Sequence, residues 1–413
     1  MKSYLLRKLC IFIVIGVAQL RAQAMPGHEL TDFVQANERF GWKLMREVHA
    51  KNPNENVVLA PLPVSYIFGA ISEGSVMGAT KDEIRNTFEW NGLAITRPSR
   101  LLFQRFEPPK LNPVTLRTSK IKTSRTPNRD NWTGSLDGMW MSTAFIYRGR
   151  GTVSEFFLGT ARREFGMEIF NTATMVEPIA KKWWKDYIPQ PSVIGTSDFY
   201  VTGMFHLQAL WAGNTFSHGT IHKGEFFLRS GERKSVEMMP SEFSSYFHAK
   251  TENLEAIMLQ CHTVSLLIVL PAPSMDIFQL ENTLVKHPEN IDPMLHSEVG
   301  DVELPKLKIQ LEEDLTPALQ QMGVRRVFSD LDIVQVPQSH LKHVVQKVEL
   351  EIDENGIRAN AGTIVNGVYG GIMGGMPTPF HMKVNRPFVF LVRDNLTNSL
   401  VYLGAVMDPS NVD

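Results

Sequence analysis

The 413-residue sequence predicts an α+β fold, and three observations lead there. Helical and strand patterns follow one another without the regular alternation that builds parallel βαβ sheets. A composition that is 43% hydrophobic and 21% charged suits a large core in one domain or two. The chain has only two cysteines, Cys10 and Cys261, and Cys10 falls in an N-terminal leader. No internal disulfide is then possible, so the fold rests on its core. Cys261 stands among apolar residues in AIMLQCHTVSLLIVLP and is expected to be a buried, inert thiol.

The elements follow in order. Phe33, Phe40, Leu44 and Val48 recur at helical spacing over residues 31–49, with Thr31 as the expected cap. Val57–Leu59 is a short strand. Pro63 then opens a helix as its first residue, with Val64, Ile67, Phe68 and Ile71 on one face. Thr80 to Glu83 has the pattern of a capping box before Ile84–Phe88. Residues 97–130 break the trend: they carry nine Lys or Arg against Glu107 and Asp130, with five prolines. They read as a poorly ordered, loop-like basic insertion. It is either a solvated surface or an attractor for a polyanion such as a sulfated glycan. Beyond it, 154–168 and 176–187 are helical in pattern. Val264–Leu270 is a buried strand and Val302–Leu311 an alternating one. Leu315–Met322 is a short helix closed by Gly323, and Lys347–Ile352 and Phe388–Val392 are strands.

The first 24 residues have the form of a secretory signal. Lys2, Arg7 and Lys8 precede an apolar run from Leu9 to Ala18, and Ala22-Gln23-Ala24 fits a cleavage site. The run is too short to span a bilayer, which needs roughly 20 residues. Removing the leader takes Lys plus Arg from 42 to 38 against 43 acids, a net charge of −5 that argues against nucleic-acid binding. The sequons at Asn131 and Asn395 agree with a secreted, extracellular glycoprotein. No nucleophile elbow, phosphate loop or dinucleotide fingerprint occurs, and His218/His222 and His340/His343 lack the flanking Glu of a zinc pattern. Neither an enzyme nor a cofactor or metal is expected.

The stretch ENGIRANAGTIVNG, Glu354 to Gly367, follows the strand KVELEID. In a period of two, Ile357, Ala359, Ala361, Thr363 and Val365 share one face. Arg358, Asn360, Gly362, Ile364 and Asn366 share the other.

Four further segments give this stretch a context. MKVNRPFVFLV (382–392), VELPKLKIQLEEDLTPALQQMGVRRVF (302–328), ENVVLAPLPVSYIFGAISEGSVMGATKDEI (55–84) and VTGMFHLQALW (201–211) resemble, in order, segments of the serpins. The resemblance spans most of the mature chain; residues 90–137 fall outside it and 171–200 match poorly. It implies a single serpin domain over 25–413: a large mixed central β-sheet, further sheets, about eight or nine helices and an exposed reactive-centre loop over 354–381. It also implies a monomer that bears no catalytic residue. In inhibitory serpins a serine protease cleaves the loop and forms an acyl-enzyme. The hinge then inserts into the central sheet and drags the protease across. Gly356, Ile357, Arg358, Ala359, Asn360, Ala361, Gly362 and Thr363 resemble that hinge. Of its inward-facing residues only Ile357 is large, no proline blocks a ladder hydrogen bond, and no charge is forced inward.

The chain departs from the family pattern in three ways. Ala60, Pro63, Gly203 and Gln346 stand where the family has a polar cluster of serines, asparagine and histidine. Counting forward from Gly356 puts the scissile bond near Gly370, whereas counting back from Asn385-Arg386-Pro387 puts it near Met376, six residues further. The loop also carries Gly367, Gly370, Gly371, Gly374 and Gly375, each weakening an inserted strand by roughly 0.5–1 kcal/mol relative to alanine. No Lys or Arg lies between Asn360 and Met382, and Met376 precedes Pro377. The remaining bonds are Tyr369–Gly370, suited to a chymotrypsin-like pocket, and Met373–Gly374, suited to a chymotrypsin- or elastase-like one. Two functions stay open: a protease inhibitor, or a non-inhibitory serpin that binds, carries or is merely cut.

Overall fold

A computed structural model describes residues 28–108, 138–185, 197–213, 215–216, 220–358 and 378–410. Helix α1 (His28–His49) buries Phe33, Phe40, Leu44 and Val48, as its spacing predicts. It starts three residues before Thr31, so Thr31 lies within it rather than capping it. Strand β1 (Val57–Leu59) leads into α2 (Pro61–Gly74). Pro61, not Pro63, stands first in that helix; both prolines fall in the first turn, where a missing N–H costs no helix bond.

Helix α3 (Gly78–Thr87) does not form the expected capping box. Thr80 is inside the helix and buried, and a distant carboxylate fastens the turn that leads into the helix. Asp332 Oδ2 accepts from Val76 N at 2.8 Å, Met77 N at 2.7 Å and Ser75 Oγ at 2.6 Å. Glu83, released from the box, accepts instead from the backbone N–H groups of Arg325 and Arg326.

The start of the basic segment is a helix, not a loop. Helix α4 (Thr96–Arg105) turns Leu102 into the core, and Phe106 behind it is buried too. Arg105 is tied to the buried Asp394 at 2.6 Å. The prolines and charges of 97–130 masked this short amphipathic stretch. Residues 109–130, with Asn131, lie outside the described residues, as does the leader 1–24.

Strand β2 (Gly138–Arg148) precedes α5 (Glu155–Phe165), which Ser154 caps and Gly166 ends with φ 61°. Then come β3 (Glu168–Thr172), α6 (Glu177–Lys185), β4 (Phe199–Leu210), β5 (His222–Phe227), β6 (Arg233–Pro240), β7 (Ser244–Lys250), β8 (Leu254–Gln260) and β9 (Val264–Pro271). Helix α7 (Ile277–Lys286) carries a formed capping box of Asp276 and Gln279. The single strand expected over Val302–Leu311 is two, β10 (His296–Pro305) and β11 (Leu307–Asp314). The break falls after Pro305, where Lys306 N donates to Glu237 O at 2.9 Å and the chain passes from one sheet to the other. Helix α8 (Thr316–Met322) is closed by Gly323 at φ 116°. Strands β12 (Val345–Asp353), β13 (Gly356–Arg358), β14 (Phe380–Lys383), β15 (Phe388–Asp394) and β16 (Leu400–Val406) complete the chain.

The strands form two mixed sheets. Ten run in the order β1-β16-β15-β9-β8-β7-β10-β6-β5, with β14 parallel to β10. Six run β11-β12-β13-β4-β2-β3, where only β2 and β3 are parallel. The main core lies between the sheets and the helices, and Cys261 is buried in it as a thiol. A smaller core of Trp140, Ala144, Ile146, Val176, Ala180, Trp183 and Met204 lies beneath α6, on the other face of the six-stranded sheet. No helix among the described residues is long and apolar enough to cross a membrane.

Candidate functional site

The site begins where β12 turns back on itself. Asp353 Oδ1 accepts from Asn355 N at 2.8 Å and from Gly356 N at 3.3 Å, a side-chain-stabilised turn through Glu354 and Asn355. Lys306 Nζ holds Glu354 at 2.8 Å, and Trp211 Nε1 donates to Asp353 O at 2.8 Å. The returning chain enters the six-stranded sheet. Gly356 pairs with Leu210 and Asp353, and Ile357 with Ala209 and Ile352. Only glycine fits at 356: φ is 155°, and a Cβ there would lie 2.1 Å from Ala209 O.

Ile357 points inward and is 1% exposed, on the face that the period of two predicts. The rest of the hinge, Ala359 to Thr363, lies outside the described residues, as do Tyr369, Gly370, Met373 and Gly374. Beyond Ile357 no ladder among the described residues joins β4 to β12. A cavity of about 70 Å³ lies there, lined by Ala60, Pro63, Gly203, Leu207, Gln346 and Leu350 among others.

The positions that depart from the family's polar cluster line this same cavity with a different packing. Gln346 Oε1 accepts from Ala60 N at 2.9 Å, and its Nε2 donates to Ala60 O at 2.8 Å. This two-point bond ties β12 to the residue just before α2. Gly203 brings β4 onto the apolar part of α2: a Cβ there would lie 3.2 Å from Pro63 Cβ and 3.4 Å from Ile67 Cδ1. Sequence reasoning saw the loss of the cluster and missed the clamp. A glutamine is not marked by its sequence as the partner of a main chain 286 residues away.

On the outer face of β4, His206 stacks on Trp140 at 5.2 Å and 19°. Burial pushes its pKa down to about 4, so the ring is neutral near pH 7. His340 and His343 do not form a joint site: their Nδ1 atoms meet Gln338 O and Asp314 Oδ2 respectively. Asn395 places its side-chain amide 3.0 Å from Cys261 O, a bond across the loop that carries the sequon.

The short strand β13 thus stands between β12 and β4, beside a cavity between the same two strands, in a mixed α+β fold of two large sheets. A family model described as serpin (serine protease inhibitor) matches residues 35–409. The chain belongs to the serpin family. It is 25% identical over 399 residues to a serine protease inhibitor of Mus musculus, covering 90% of this chain and 88% of that one. Human thyroxine-binding globulin complexed with thyroxine has the same fold at TM-score 0.73 and 18% identity, covering 93% of this chain and 100% of that one. So has native protease nexin-1 with heparin, at TM-score 0.72 and 18% identity, covering 92% and 100%.

Proposed function

We propose that this chain is a secreted serpin that inhibits a chymotrypsin- or elastase-like serine endopeptidase as a suicide substrate. The protease serine attacks a loop carbonyl, at Tyr369–Gly370 or Met373–Gly374, and the peptide bond breaks. The acyl-enzyme is then carried off as the hinge extends β13 into the sheet. No serpin residue takes part in the chemistry; the work comes from strand addition. The observation that carries this reading is β13 itself, two of whose residues already pair with both β12 and β4. The bases between Lys110 and Arg129 support a sulfated glycan as a second partner, whereas Arg97, Arg100 and Arg105 on α4 are engaged by Glu29, Glu164 and Asp394.

One observation favours the other reading, a non-inhibitory carrier or protease substrate. The Gln346 clamp on Ala60 holds β12 in place, so a strand added between β12 and β4 must move β4 or break the clamp. A denaturing gel of the protein with chymotrypsin and with elastase separates the two. The inhibitor gives an SDS-resistant band at the summed mass. Cleavage between Gly367 and Pro377 with neither that band nor a rise in melting temperature of the cut protein overturns trapping.

A further inference from the structure

The far end of the loop is anchored by β14, whose first residue, Phe380, rests on a buried histidine. The ring of Phe380 stacks on His248 at 3.9 Å and 5°. The side chain of His248 is 2% exposed and lies between two carboxylates, with Nδ1 2.5 Å from Glu298 Oε2 and Nε2 3.1 Å from Glu255 Oε1. Opposite Phe380 in the parallel ladder stands Gly300, where a Cβ would lie 2.3 Å from Phe380 O. The receptacle therefore needs a glycine on one strand and a flat ring on another.

An imidazolium donates from both nitrogens, so both carboxylates are satisfied. A neutral ring has one N–H and must turn a lone pair toward the other carboxylate. It also loses the attraction of a cation for the aromatic face. The surrounding charges are Glu255 and its partner Lys250 at 3.1 Å on β8 and β7, and Glu298 with its second partner His296 at 2.8 Å on β10. Tyr246 on β7 meets the edge of Phe380. Asp301 pairs with His381 at 2.7 Å, and Arg386 lies within electrostatic reach of Glu255.

We propose that His248 is the positioning residue of the loop's distal anchor: as an imidazolium between Glu255 and Glu298 it holds Phe380, and with it β14, against the sheet, and as a neutral ring it lets that strand loosen. Burial by itself lowers the histidine's pKa, but the bonds from Glu255 and Glu298 outweigh it and hold it above the ordinary value. A raised histidine pKa gives stability that is complete below about 6.5 and lost as pH rises through the folded value. Glu255 and Glu298 are held low, so their contribution disappears only in acid, as pH falls through their folded values. The anchor is tightest between these limits.

The test is backbone amide exchange of the whole protein, read by mass spectrometry on the peptide spanning Phe380–Lys383 and corrected for intrinsic chemistry. Between about pH 5.5 and 9, protection of this peptide falls, by a factor of about ten for each unit by which the histidine pKa is raised. Protection of β15 and β16 stays constant over the same range. His248→Gln removes the fall, and Glu298→Gln moves it to lower pH. Flat protection in the unaltered protein overturns the proposal, as does a fall that persists in His248→Gln. If that variant does not fold, an unshifted fall in Glu298→Gln overturns it. The readout involves no protease, so its failure leaves the trapping reading untouched, and failure to trap leaves the anchor standing.

Discussion

At Gly356 the absence of one methyl group lets the chain enter the sheet beside β4. The turn from β12 into β13 brings its Cα so close to β4 that a Cβ would overlap Ala209 O. The neighbouring strand's backbone cannot yield as a flexible side chain would. Gly356→Ala is expected to expel Ile357 from its buried position at a cost of about 1–3 kcal/mol, typical of overpacking. The measurement is amide exchange at Ile357 and Arg358, which loses its protection. If inhibition proceeds through β13, the SDS-resistant complex with chymotrypsin or elastase falls in the same variant. Unchanged exchange at 357 would sink the argument from close approach.

At the scale of elements, the entry to helix α3 shows how one carboxylate ties two segments together. Its own Thr80 is buried inside the helix, and Asp332 supplies the acceptor from a segment more than 240 residues away. Glu83 makes the reciprocal tie by accepting from Arg325 and Arg326. Asp332→Ala leaves three donors without this acceptor and is expected to cost about 0.5–1.5 kcal/mol in urea unfolding, as for a lost hydrogen bond. Asp332→Asn keeps an acceptor oxygen and is expected to lose less. An alanine variant as stable as the parent would show that water replaces the carboxylate fully.

For the whole molecule, His206, Asp314 and Asp408 withdraw stability in the same direction, as pH falls. His206 has its pKa depressed to about 4, so unfolding takes up a proton as pH drops below about 6.5. Its contribution is therefore complete above about 6.5 and lost between there and about 4. Asp314 and Asp408 are also held low, against burial that by itself raises them. Hydrogen bonds from Thr316 and His343 act on Asp314, and from Lys234 and Ser410 on Asp408. Their contribution too is lost as pH falls. Melting temperature is expected to decline from about pH 6.5 towards 4, and His206→Phe to flatten the first part of that decline. A His206→Phe curve that runs parallel to the parent's would show that the ring is not what titrates.

The class of fold and the family were legible because period and local chemistry carry them. The buried run Val264–Leu270, the alternating KVELEID and the Asn-Arg-Pro-Phe segment keep their meaning wherever they pack. The inward face of Ile357 was legible for the same reason, since a strand alternates its sides whatever its neighbour is. Boundaries were less so. The strand expected over Val302–Leu311 divides because its halves find partners in different sheets, and pairing is not written in periodicity. Helix α4 hid among prolines and charges because two apolar residues, Leu102 and Phe106, suffice once a core receives them. What the sequence by itself determined was therefore an α+β serpin in which Ile357 falls on the inward face of a strand. Only the tertiary structure decided that Gly356 and Ile357 lie inside the sheet, that Gln346 clamps Ala60, and that His248 sits under Phe380. Each joins residues far apart in the chain, and such contacts depend on where the backbone places them in space, which local residue preference does not encode.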